Sequence, residues 1–123
     1  MSHFTRVKTQ LKDIEMVKRT LEDLGHTVAS GTVRGYGSQK TQADIVVRLD
    51  DRYDVGFRQE GGTVNMVADL WGSRVSAEDF LKQVSQRYAY LTVVEQTAGQ
   101  GWQVVAEETQ ADGSVRLVMQ RWT

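Results

Sequence analysis

Apolar positions along the chain switch between two periods. Phe4-Thr5-Arg6-Val7-Lys8-Thr9-Gln10-Leu11 mixes aromatic and β-branched residues with polar ones and predicts an opening strand. From Asp13 the spacing changes. Ile14, Val17, Leu21 and Leu24 recur at intervals of three and four, which aligns them on one helix face, and Gly25 supplies the left-handed residue that ends such helices. His26 to Val33 predicts a strand, and Gly35 to Thr41 a loop. Ala43, Ile45, Val47 and Leu49 then alternate with Asp44, Val46, Arg48 and Asp50, the two-residue period of a strand with one buried face. Past an acidic turn, Tyr53, Val55 and Phe57 alternate with Asp54, Gly56 and Arg58. Gly61-Gly62 reverses the chain into a strand from Thr63 to Trp71, completing a meander of three antiparallel strands.

The C-terminal half repeats the alternation of helix and strand. Ser76 with Asp79 predicts a capped helix start. Phe80, Leu81, Val84, Tyr88, Leu91, Val94 and Ala98 hold a helical period to Gly99. The β-branched run Thr92-Val93-Val94 leaves two options for residues 77–99, one long helix or two abutting ones. Trp102 to Glu108 and Val115 to Trp122 predict a hairpin around Ala111-Asp112-Gly113-Ser114. The order β-α-β-β-β-β-α-β-β predicts an α+β fold: a single antiparallel sheet of about seven strands with two or three helices packed on one face.

Composition narrows the function classes. With 123 residues, 40% hydrophobic and 25% charged, the chain has the make-up of one folded domain, residues 1–123 without a linker. No apolar run approaches the roughly 20 residues of a membrane span, and Met1-Ser2-His3-Phe4-Thr5-Arg6 lacks the apolar centre of a secretory signal. Cysteine is absent, which removes disulfides, thiolate metal sites and thiol nucleophiles. A net charge of −1 gives no overall field toward nucleic acid or an anionic membrane, and Arg6, Lys8 and Lys12 are expected on a solvated strand face.

Three patterns invite chemistry. Gly35-Tyr36-Gly37-Ser38-Gln39-Lys40-Thr41 has the glycines and Lys-Thr of a phosphate loop. It lacks the required glycines at Arg34 and Gln39, and it leads into a strand where a phosphate loop opens a helix. Asp44, Asp50, Asp51 and Asp54 offer oxygen ligands, but they flank a hairpin and have no calcium-loop spacing, so a solvated turn is expected. His3 and His26 are the two imidazoles, and no Gly-x-Ser-x-Gly elbow accompanies them. No catalytic residue, metal ligand or cofactor is therefore assigned. What remains is aromatic and arginine residues: Arg34 with Tyr36, Trp71 with Arg74, Arg87 with Tyr88 and Tyr90, and Arg121 with Trp122. These residue types dominate binding energy at protein interfaces and, when aromatic, more often fill cores.

Several stretches together resemble the plastid and cyanobacterial family called hypothetical chloroplast reading frame thirty-five: Val33-Arg34-Gly35-Tyr36, Tyr53-Asp54-Val55-Gly56-Phe57, Gln86-Arg87-Tyr88-Ala89-Tyr90, Asp112-Gly113-Ser114 and Arg121-Trp122. The resemblance runs the length of the chain. It implies a stand-alone protein in the cyanobacterial cytosol or plastid stroma with no catalytic set to carry over, and a loose association with small ferredoxins and AAA-type ATPases. The expected role is a non-enzymatic interaction or regulatory partner of another protein, with Arg34, Tyr36, Trp71 and Arg87 as contact candidates. Two rivals make different demands. A small-ligand or cofactor-binding protein needs a cleft between helix and sheet, and nucleic-acid binding needs clustered Lys and Arg on one face.

Overall fold

A computed structural model describes residues 4–49, 53–70, 73 and 75–121. The chain is α+β, with elements in the order β1 (Thr5–Lys8), α1 (Ile14–Asp23), β2 (Val28–Arg34), β3 (Lys40–Arg48), β4 (Asp54–Glu60), β5 (Thr63–Ala68), α2 (Ala77–Ala98), β6 (Trp102–Thr109) and β7 (Val115–Arg121). The strands make two sheets where the alternation pattern predicts one. A five-stranded antiparallel sheet has the order β1-β5-β4-β3-β2, and β6 pairs only with β7. The seven-strand sheet is corrected for a physical reason. Thr5 lies opposite Ala68, so β1 occupies the free edge of β5 and leaves no place beside it for the last hairpin.

The helices cover one face of the five-stranded sheet. Asp13 caps α1 by accepting a hydrogen bond from the Glu15 amide, and Val17 and Leu21 are wholly buried against Val55, Phe57, Val64 and Met66. Ser76 caps α2 by accepting from the Asp79 amide, and Phe80 and Val84 join the same core. α2 is continuous over its 22 residues. The β-branched run is accommodated because the Thr92 hydroxyl donates back to the Tyr88 carbonyl at 2.8 Å, a bond available inside a helix.

The opposite face of the sheet is covered by the chain itself. On β2–β3 the register shifts between Ala29 and Gly31, where Asp44 and Ile45 together oppose Ser30, and Gly31 takes a φ of +113°. Such a bulge bends the ribbon. Beyond it, residues 31–34 and 40–43 fold back over β4, whose alternate residues form the seat. Asp54 receives Arg34, Gly56 lies under Val33 and Ala43, and Arg58 donates to the Gln42 carbonyl at 2.6 Å and the Thr41 hydroxyl at 2.7 Å. A Cβ on Gly56 would stand 2.5 Å from Val33 Cγ2, so the close approach requires glycine.

Candidate functional site

Arg34 ends β2 directly above Asp54. Its backbone amide, Nε and Nη2 reach the two carboxylate oxygens at 2.8, 3.0 and 3.0 Å, and Asp54 is only 1% exposed. The expected solvated turn is thereby corrected at this residue. Asp54 is the buried anchor of the folded ribbon, and its carboxylate is matched by the planar guanidinium fork. Tyr36 follows in the loop, 44% exposed as a residue, while its amide donates to the buried Asp69 carboxylate at 3.0 Å. Arg34 and Tyr36 thus lie together on the side of the sheet away from the helices. Trp71, Arg74, Trp122, His3, Asp50 and Asp51 lie outside the described residues.

Arg87 occupies a different surface. From α2 it bonds to Asp23 of α1, approaches Glu107 of β6 at 3.6 Å, and lies 4.2 Å over the Tyr90 ring. One guanidinium therefore ties both helices to the C-terminal hairpin. Burial, and after it the charge and hydrogen bond of Glu107, raise the Tyr90 phenol above its ordinary value of 10.0. Tyr88 turns the other way, and its hydroxyl accepts from the amides of Lys12 and Asp13 at 3.4 and 3.3 Å.

Trp102, Val104, Val115, Leu117 and Met119 are the half-buried positions of the β6–β7 hairpin, and Val115 and Leu117 face α2. Gln86 Nε2 closes one end by donating to the Gly113 carbonyl at 2.7 Å. Between helix and hairpin runs an apolar groove of about 210 Å³ lined by Gln86, Ala89, Tyr90, Val93, Val115 and Leu117. Val93, Val105 and Val118 are exposed at 39%, 50% and 37%, three of the four large hydrophobic side chains exposed among the described residues. Sequence reasoning passed over them. Val93 is hidden in the β-branched run, and Val105 is the extra residue of a bulge where β6 skips from Val104 to Ala106. Val118 alone carried a signal, since it opposes the phase of Leu117 and Met119.

A second depression opens where the β2–β3 bulge separates the sheet from α1. It encloses about 600 Å³ and is lined by Glu15, Lys18, Ser30, Asp44 and Gln59 over Ile14, Val28 and Ile45. Its polar side chains are solvent-exposed, with Asp44 accepting from the Gln59 amide at 2.8 Å. Among the described residues no group of three or more His, Asp or Glu side chains is placed to hold a metal ion, and no helix is long and apolar enough to cross a membrane.

A family profile described as "Protein of unknown function (DUF1257)" matches residues 20–118. The chain is also similar to proteins called "Uncharacterized protein ycf35" in three plastid-bearing organisms. The Guillardia theta protein is 39% identical over 99% of this chain and 98% of its own length. The Pyropia yezoensis and Cyanophora paradoxa proteins are 35% and 34% identical over the same shares. No solved structure matches the chain.

Proposed function

We propose that this chain, which belongs to the DUF1257 family found in plastid lineages as ycf35, works as a non-enzymatic protein-interaction module whose contact surface is the face built by α2, β6 and β7. The observation that carries this reading is the apolar groove between α2 and β7, with the exposed Val93 in its lining and the exposed Val118 on the outer face of β7. A hairpin of two strands is marginal in water unless one of its faces is covered. Here the cover is one helix surface that leaves a groove open. Contiguous exposed apolar surface with a polar border is the composition of a contact site.

The polar pairs support the same division of labour. Arg34 and Arg87 spend their guanidinium groups on Asp54, Asp23 and Glu107, so they position surfaces of the chain, while Tyr36 is partly exposed on the opposite side. Photo-cross-linking from position 93 in a native extract should give one adduct of defined mass, identified by mass spectrometry. A ferredoxin or an AAA-type ATPase is the partner class that the family resemblance suggests. Cross-linkers at Gln42 should give none, and Tyr36→Ala should leave the adduct at 93 unchanged. Absence of an adduct at 93 and at 118 would end the proposal.

The cleft between α1 and the bulged ribbon gives the small-ligand reading its specific observation, because its volume falls within that of ligand pockets. Its polar lining is exposed to solvent, which favours the protein-interaction reading over it. A melting temperature that rises with a metabolite or nucleotide, and stops rising in Lys18→Ala, would reverse that order. For nucleic acid, Arg6, Arg19, Arg34 and Arg87 each face a carboxylate, which counts against a phosphate-binding patch.

A further inference from the structure

Resting on the protein-interaction reading, we infer that the free edge of β7 accepts an extended, acidic and apolar segment of a partner protein as a third strand of the hairpin sheet. Three other edges are ill suited to this. β1 has four residues, two of them the cations Arg6 and Lys8, and β2 is folded onto β4 beyond its bulge. β6 carries a bulge at Val105 and the acids Glu107 and Glu108. Bulges, charges and short length are the devices by which edges are blunted. β7 has seven residues with no bulge of its own, no proline and no acid.

The groove lies along this edge. Val115 and Leu117 of β7 line it from one side, and Ala89, Tyr90 and Val93 of α2 from the other. A strand added beside β7 places alternate side chains over these residues and the rest beside Arg116 and Val118, since side chains along a strand alternate between faces. Charge selects the chemistry of that strand. β7 contributes Arg116 and Arg121, and Lys82 reaches the hairpin turn at Gly113. Neither Lys82 nor Arg116 is in an ion pair among the described residues. Glu108 lies opposite Arg116 on its β6 side, and carboxylates on the incoming strand flank it from the open side. A second copy fits less well, because pairing β7 with β7 adds two further arginines and no acid.

The test uses the full chain and fluorescent peptides read by anisotropy. A short peptide alternating Val and Glu should bind, and its Val-Lys counterpart should bind about tenfold more weakly or not at all, through reversal of cross-strand charge. Two versions of the Val-Glu peptide, N-methylated at odd or at even residues, separate edge addition from other contacts. Strand amides point alternately toward and away from the neighbour, so one version should bind and the other should not. Val93→Glu, on an exposed helix position, should weaken the Val-Glu peptide about tenfold by setting an unpaired charge against the valines that lie over the groove. Equal binding of the acidic and basic peptides, or of both methylated versions, overturns the inference. So does a chain that sediments as a dimer and binds no peptide, since a second copy then holds the edge. Adducts at position 93 with no peptide binding overturn edge addition and leave the interaction surface standing. Loss of both removes the surface as well.

Discussion

Gly56→Ala isolates the folded ribbon, because it adds one methyl group to the point where β2–β3 lies closest to β4. The new Cβ would stand 2.5 Å from Val33 Cγ2 and 2.7 Å from Ala43 Cβ, where carbon atoms rest at about 3.5–4.0 Å. Neither neighbour can turn aside. Val33 is fully buried and β-branched, and Ala43 has no rotamer to change, so the ribbon backbone must lift by about 1 Å. Overpacking of this kind costs about 2–3 kcal/mol. At this chain length that corresponds to a fall in Tm of roughly 6–12 °C. Urea unfolding followed by circular dichroism measures it, with Gly62→Ala as comparison, since nothing lies within 4 Å of a Cβ there. Val33→Ala in the same chain removes the clashing Cγ2. The double variant should therefore be more stable than the sum of the single effects predicts by about 1 kcal/mol or more. A Gly56→Ala midpoint equal to that of Gly62→Ala, or strict additivity with Val33→Ala, would refute the packing of ribbon on β4.

The remaining predictions concern charge. Arg34→Leu should cost about 3 kcal/mol in urea unfolding, and Asp54→Asn less, because the arginine side chain is 29% exposed and can rehydrate while the 1% exposed carboxylate cannot. Ultraviolet titration should show a tyrosine ionising above 10.0, a phase that Tyr90→Phe removes and Glu107→Gln brings down. Because the folded value is raised, the stability linked to the protonated phenol is complete below 10.0 and is lost as pH climbs through the folded value. Arg87→Ala should speed hydrogen exchange of β6 amides about fivefold, the loss of about 1 kcal/mol for a partly exposed ion pair, and leave β4 amides unchanged.

Local periodicity carried most of the fold. The faces of α1 and α2, the β3-β4-β5 meander and the final hairpin are each visible in residues a few positions apart. The family resemblance reached from end to end, and both the family profile and the ycf35 relatives agree with it. Long-range pairing was not legible. Thr5 lies opposite Ala68, and no pattern in either segment names the other. The role of Asp54 was hidden for the same reason. In sequence it joins an acidic turn, and only the bulge at Ser30 brings Arg34 back over it. Of the contact candidates, Tyr36 was readable as exposed from its loop, whereas Arg87 owes its place to Asp23 and Glu107 on two distant elements. The groove escaped because it belongs to two elements at once, and neither α2 nor β7 alone exposes it.

The continuity of α2 bears on how a load at the hairpin would be felt elsewhere. Its 22 residues make a rod about 33 Å long, without the proline that would let it hinge. Phe80 and Val84 are embedded at one end, and Val93 stands at the other. A strand seated beside β7 would therefore act on a lever whose fulcrum is the central core. Halfway along, Arg87 grips Asp23, so any tilt of the rod pulls on the end of α1.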